Sequence, residues 1–251
     1  MINAAKVHLV MSCVLWAALQ AARAEIPPDD PVLQLAPEVI VRDHVLPNIQ
    51  TPGEVAEVRQ ITRQADSEQT DHFTRQAVIQ PNEARVVIQY QTGTRPRYTD
   101  TISDGVRRQE YQVSPDGPVR RIQTGQDFPI KGSAFSFRDL HWLLETYQWV
   151  EKTHRDSHVL LTGENGPYPK IVIELDRVLG AVVMTSMRVF ESDGKLTKVQ
   201  TFKDFVVQHN KVRPTWIQMA AVGPGLSSSH DDVITTLELK WLEAETAGAR
   251  P

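Results

Sequence analysis

The stretch EARVVIQYQ, residues 83–91, sets Ala84, Val86, Ile88 and Tyr90 on one side of an extended chain and Arg85, Val87, Gln89 and Gln91 on the other. A period of two marks a strand that buries one face and wets the other, because successive side chains point to opposite faces of a sheet. Antiparallel sheets permit that division, whereas parallel sheets are covered on both faces and read as unbroken apolar runs. The pattern returns near the far end, in VITTLELKWL at 233–242. There Val233, Thr235, Leu237, Leu239 and Trp241 oppose Thr236, Glu238 and Lys240.

Between these two strands the same period dominates, and the joints are hairpin joints. SPDG at 114–117 is a proline-initiated turn, SDGK at 192–195 supplies the Asp-Gly that a tight loop needs, and QHNK at 208–211 links two long strands. Strand follows strand through short turns, with no strand–helix–strand rhythm. The expectation is a mainly β protein of about eleven antiparallel strands in a meander. Ahead of them, VLQLAPEVIVRDHVLPN at 32–48 carries Val41 and Val45 one helical turn apart. It reads as one helix, or two short ones broken at Pro37, with Pro47 ending the pattern.

A second helix is expected in SAFSFRDLHWLLETYQW, residues 133–149. Ser136 is a good N-cap, Asp139 stands at the third helical position as in a capping box, and Phe135 and Leu140 are spaced for a hydrophobic staple. The helix would run to about Leu144 or Glu145, with Leu140, Leu143, Leu144 and Tyr147 on one apolar stripe and Trp142 off it. Such a face needs something to cover: the end of a packed barrel, or an internal cavity for which it is the lid.

The termini bound the fold. Lys6 and His8 precede the apolar run LVMSCVLWAAL, which leads to Ala22-Arg23-Ala24, the layout of a secretory leader cleaved after Ala24. The run is too short to span a bilayer, and Val14-Leu15-Trp16 after Cys13 do not fit a lipoprotein signal. Residues 1–24 are thus read as a signal peptide, 25–243 as one domain and 244–251 as a disordered tail. The one cysteine leaves with the leader, and with it any disulfide, thiol nucleophile or thiolate metal site. Twenty-seven Lys and Arg stand against 31 Asp and Glu, a net charge of −4 without a basic cluster, which is no footprint for nucleic acid.

Motifs that suggest chemistry do not hold together. His154 and His158 in HRDSH are four apart, which would suit a metal on a helix, but here they flank a turn between strands. SSSHDD at 227–232 places serine, histidine and aspartate in sequence, whereas a triad is assembled in space, and no G-x-S-x-G elbow is present. GPGLSSS at 223–229 lacks the lysine of a phosphate loop. Asp43-His44 and Asp71-His72 read as surface charges, and Glu174 and Asp176 share a strand face without an apolar pocket to raise a pKa. Trp142, Trp149, Trp216, Trp241, Phe135, Phe137 and Tyr90 fit either an ordinary core or a cavity lining.

Three motifs in order carry a resemblance: FSFRDL at the helix start, YPKIVIELD at 168–176, and RVFESDGKLTKVQTFKDF at 188–205. The chain from about 130 to 242 resembles the LolA-like outer-membrane lipoprotein-sorting proteins, although its lysine is shifted by one in the second motif. The resemblance implies a strongly curved antiparallel sheet, an unclosed half-barrel, with helices across its open side and a hydrophobic cavity for acyl chains. It implies a monomeric periplasmic carrier, no enzyme and without cofactor, that takes lipoprotein or lipid from an inner-membrane transporter to an outer-membrane acceptor. Each buried methylene is worth ~0.8 kcal/mol, so a sixteen-carbon chain crosses water only at a cost on the order of 12 kcal/mol unless it is enclosed. Candidate acyl and lid contacts are Phe135, Phe137, Leu140, Trp142, Leu143 and Leu144, with Val86, Ile88 and Tyr90 on the sheet. The family also latches its lid through an arginine, which no motif singles out here. The rival readings are a lipid-sensing regulator on the same fold and a secreted β hydrolase or sugar-binding protein.

Overall fold

Alternating strands joined by tight turns build a single sheet that never closes. The computed structural model describes residues 23–24, 29–49, 53–64, 67–80, 83–91, 96–103, 106–114, 116–122, 130, 133–136, 139, 144–155, 158–222 and 233–242. The strands are β1 (Arg23–Ala24), β2 (Glu54–Gln64), β3 (Ser67–Gln80), β4 (Glu83–Tyr90), β5 (Arg97–Ser103), β6 (Val106–Gln112) and β7 (Val119–Ile122), followed by β8 (Gln148–Arg155), β9 (His158–Glu164), β10 (Lys170–Val178), β11 (Ala181–Phe190), β12 (Leu196–Gln208), β13 (Lys211–Ala221) and β14 (Ile234–Trp241). All pairings are antiparallel. The order is β7-β6-β5-β4-β3-β2-β14-β13-β12-β11-β10-β9-β8, with β1 beside β10.

Two meanders therefore meet at one seam, where β2 pairs with β14 from Ala56↔Trp241 to Arg63↔Ile234. The edges of the sheet are β7 and β8, which follow one another in the chain. The segment between them must cross from one edge to the other. Among the described residues there are fourteen strands rather than about eleven; one of them, β1, lies inside the expected leader.

The expected turns are present. Gly117 N–H donates to Ser114 O at 2.9 Å, and Gly194 takes φ +82° where its N–H donates to Glu191 O at 2.9 Å. His209 and Asn210 both adopt left-handed φ, 50° and 59°, as a two-residue hairpin loop requires.

Before the sheet, a 3-10 turn (Pro31–Gln34) is capped by Asp30, whose Oδ1 accepts from Val32 N–H at 2.9 Å. A helix, α1, then runs over 37–49 as an α turn (Pro37–Ile40), a π turn (Val41–Val45) and a last α turn (Leu46–Ile49). Pro47 was expected to end the pattern, yet α1 continues through it. In a regular helix the proline ring would meet the carbonyl four residues back, and the wider π turn immediately before it makes room. Buried Ile40, Val41, Val45 and Ile49 hold α1 on the concave side of the sheet, against β8, β11 and β13. Lys152 Nζ donates to the carbonyls of Leu33 and Leu35 at 2.5 and 2.9 Å, fixing the approach to the helix.

Asn48 ties the end of α1 to two strands. Its Nδ2 donates to His44 O at 2.7 Å and to Val182 O at 3.4 Å, and its Oδ1 accepts from Val212 N–H at 3.1 Å. Asn48→Ala leaves the buried Val212 N–H unsatisfied and is expected to cost about 1–3 kcal/mol. A urea titration should register it as a lower midpoint with an unchanged slope.

Candidate functional site: the concave face and its cover

Register fixes which side chains share the concave face. One cross-strand row reads Thr62–Thr235–Met219–Gln200–Met187–Ile173–Leu161, and a second reads Gln60–Leu237–Ile217–Phe202. The apolar members of these rows, with Met184, Val189, Ile171 and Leu175, join α1 in one buried cluster, and Thr62, Thr235, Gln200 and Gln60 are buried polar residues among them.

Across the seam the same face changes character. Asp71, Arg75, Asp100 and Gln109 are buried there, and Arg75 is the largest fully enclosed side chain among the described residues. Burial pushes its guanidinium down to about 10. Beside it runs an aromatic ladder, with ring centroids 5.2 Å apart for Phe73–Tyr90, 6.0 Å for Tyr90–Tyr98 and 4.8 Å for Tyr98–Tyr111. Burial, with a smaller contribution from Tyr111, pushes the Tyr98 hydroxyl up to about 12. Burial raises Tyr90 as well. Both phenols remain neutral donors at ordinary pH. Asp71, expected as a surface charge, is buried because Gln60↔Asp71 pairing puts it on the inner face. Its companion His72 is exposed.

The cover of the apolar half is tied down by a polar knot. Asp139 is at the centre, its side chain fully buried. Its Oδ2 accepts from Ser136 N–H at 2.7 Å, Ser136 Oγ at 2.8 Å and Lys198 Nζ at 2.9 Å, while Oδ1 accepts from the Tyr168 hydroxyl at 2.6 Å. Lys198 Nζ also donates to the Tyr168 oxygen at 3.2 Å. The bond from Ser136 N–H to the Asp139 carboxylate is the half of a capping box expected from the sequence. Its union with Lys198 of β12 and Tyr168 was not expected. At the other end of the segment, Ala134 N–H donates to Thr235 Oγ1 of β14 at 2.9 Å.

Behind the knot, the Tyr147 hydroxyl accepts from Tyr168 N–H at 3.2 Å. Gly166 must be a glycine, since a Cβ there would come within 2.4 Å of the Tyr147 ring.

Of the sequence-derived contacts, Phe135, Leu144, Val86, Ile88 and Tyr90 all join one buried cluster with α1. Phe137, Leu140, Trp142 and Leu143 lie outside the described residues, as does most of the expected second helix; Leu144–Thr146 forms a 3-10 turn at its end. Trp149 packs on the core. Trp241 is buried with the Arg213 guanidinium 4.9 Å from its ring, and Arg213 pairs with buried Glu54. Trp216 stands on the outer face with Lys203 Nζ 4.9 Å from its ring. A sharper sequence signal existed for Lys198 and Gln200: both share the phase of Phe202, so two polar residues occupy inward positions of β12.

The convex face carries a charged group of its own. His158 and Asp176 are hydrogen-bonded across β9 and β10, and Glu174 Oε1 lies 3.8 Å from His158 Nδ1. Ligand atoms of these three residues fall within 4.8 Å of one another, so the sheet assembles a His-Glu-Asp group that the sequence separated. Arg188 donates to Glu174 Oε2 at 3.0 Å, which balances its charge. Two open grooves, of about 370 and 210 Å³, are lined mainly by polar outer-face residues such as Glu57, Arg59, His72 and Lys240 in one and Arg85, Arg97 and Glu110 in the other.

No family model matches the chain, and no curated protein matches it in sequence. Solved structures do match in fold. A structure described as an outer membrane lipoprotein-sorting protein domain, from Vibrio parahaemolyticus, superposes with TM-score 0.61 at 16% identity, covering 78% of this chain and 86% of that one. A DUF1329 family protein from Desulfovibrio piger gives 0.64 at 11% identity, over 86% and 92%. A LolA superfamily protein from Nitrosomonas europaea gives 0.57 at 15% identity, over 77% and 87%. The architecture is LolA-like: an unclosed antiparallel sheet with its concave side covered.

Asp139→Ala strands the Lys198 ammonium and the Ser136 N–H and is expected to cost about 3–5 kcal/mol, the usual penalty for breaking a buried pair. Asp139→Asn, which keeps the shape and loses the charge, should cost less. Thermal and urea unfolding of the three proteins would rank them.

Proposed function

We propose that this protein is a periplasmic carrier that encloses the acyl chains of a lipoprotein or lipid between its concave sheet face and the cover, and moves them through water towards the outer membrane. The observation that carries this reading is the combination of a one-sided apolar core with a cover held by a few polar bonds to Asp139 and Thr235. On opening, water replaces the partners that are lost, so the neutral tie from Ala134 to Thr235 costs about 0.5–1.5 kcal/mol net and each charge-assisted tie to Asp139 about 1.5–3 kcal/mol. Opening also costs the apolar contacts, which an entering acyl chain replaces at ~0.8 kcal/mol per methylene.

On this reading the leader ends at Ala24, residues 25–243 are the working domain, and an inner-membrane donor and an outer-membrane acceptor complete the route. Loading requires a surface and a lid, and no catalytic group or cofactor.

Native mass spectrometry with organic extraction, on the protein of residues 25–251 prepared from a bacterial periplasm without detergent, tests the reading. A stoichiometric lipid or acylated peptide is the expected result. A clean unliganded mass, with no uptake of a fluorescent fatty acid, would remove it. Lys198→Met loosens the knot while leaving the apolar face intact. It is expected to speed uptake of that probe several-fold in stopped flow, with little change in the amount bound at saturation.

A further inference from the structure

One side chain under the cover is out of keeping with its surroundings. Gln200 is completely buried on the concave face of β12, and among the described residues neither its Nε2 nor its Oε1 has a hydrogen-bond partner. Its cross-strand neighbours are Met187 and Met219, and Phe202 follows it on the same face. A buried amide with neither group satisfied is costly, and native interiors rarely tolerate one. Methionine flanks are the plastic lining of adaptable binding surfaces.

The position of Gln200 relative to the cover is equally specific. The segment is held at one end by Thr235, which stands in the same cross-strand row two strands away, and at the other by Lys198, the next inward residue along β12. Gln200 thus lies between the two attachment points, on the stretch of sheet that the cover spans.

We propose that Gln200 is the polar recognition point of the acyl site, and that it selects chains joined through an amide. This rests on the carrier reading above. A bare alkyl chain satisfies neither atom of the side chain. An ester carbonyl can accept only from Nε2. Of these linkages only an acyl amide offers both a carbonyl to Nε2 and an N–H for Oε1, the partners that the two orphaned groups lack. The cargo chemistry is that of an N-acylated peptide or an N-acylated lipid, with Gln200 reading the linkage while Met187 and Met219 pack against the chain.

Three probes that differ only at the linkage, and carry no other donor, test this: N-ethylpalmitamide, ethyl palmitate and hexadecyl ethyl ether. Their affinities are measured by displacement of a fluorescent fatty acid from the wild type, Gln200→Met and Gln200→Leu. The wild type is expected to bind amide over ester over ether, each step about two- to ten-fold, the size of one neutral hydrogen bond. Both variants should bind the ether as well as the wild type does and lose the order. They should also melt no lower than the wild type, since they remove a buried amide that bonds to nothing. An order that persists in both variants would overturn the role of Gln200 and leave the carrier reading standing. Equal losses for all three probes would overturn it too, by marking Gln200 as a structural support. Failure of every probe to bind the wild type would take down the carrier reading and this inference together. To separate a peptide from a lipid source, an N-palmitoylated tripeptide is compared with an N-palmitoylated aminolipid in the wild type; the tighter one names the source.

Discussion

The open edge is the constraint from which the rest follows. A curved sheet that closes into a barrel pairs its last strands and hides its core. Here the edges are β7 and β8, consecutive in the chain yet at opposite ends of the sheet. The chain that joins them has to pass across the mouth. Among its described residues, Ile130, Phe135 and Leu144 are buried. The cover is a product of the strand order, and the other half of the mouth is left to α1, anchored through Asn48 and Lys152.

This geometry divides labour between apolar and polar contacts. Packing supplies the attraction, while Asp139, Lys198, Tyr168 and Thr235 decide where the segment rests. A carboxylate that is enclosed and fully coordinated gives one well-defined seat, and its bonds fail together once the ammonium is withdrawn. The far half of the concave face, with Arg75, Asp100 and the tyrosine ladder, is enclosed as well but far less apolar. One continuous apolar cluster thus runs across the whole face, with buried charged groups gathered towards its far half.

Much of the fold was legible in the sequence because period-two alternation survives wherever one face is buried. Residues 83–91 and 233–242 announced their inward sides correctly, and the turns at 114–117, 192–195 and 208–211 carried the right chemistry. The seam between β2 and β14 was not legible, since nothing local in either strand names a partner so distant in sequence. Pro47 misled because the rule it obeys assumes a regular helix, and the π turn suspends that rule. The site was half visible. Ser136 and Asp139 advertised their mutual bond, but the partners that make it a knot come from strands that only the register brings near. Gln200 could have been noticed as a polar residue in an inward phase, although the sequence alone does not separate an edge position from a buried one.

The seam has a consequence for how the molecule comes into being. Each meander consists of neighbours in sequence, which find one another quickly, whereas β2 and β14 are separated by nearly the whole domain. Closing so long a loop delays the pairing rather than weakening it, because its entropic cost grows only slowly with length. A chain that emerges from its amino end therefore holds β2 as a bare edge until the last strand arrives. Such an edge invites pairing with another chain. Glu57 and Arg59 on the outer face of β2 pair with Lys240 and Glu238 only once β14 arrives, whereas Arg63 pairs with Glu68 of neighbouring β3; charged side chains on a waiting edge disfavour pairing with another chain.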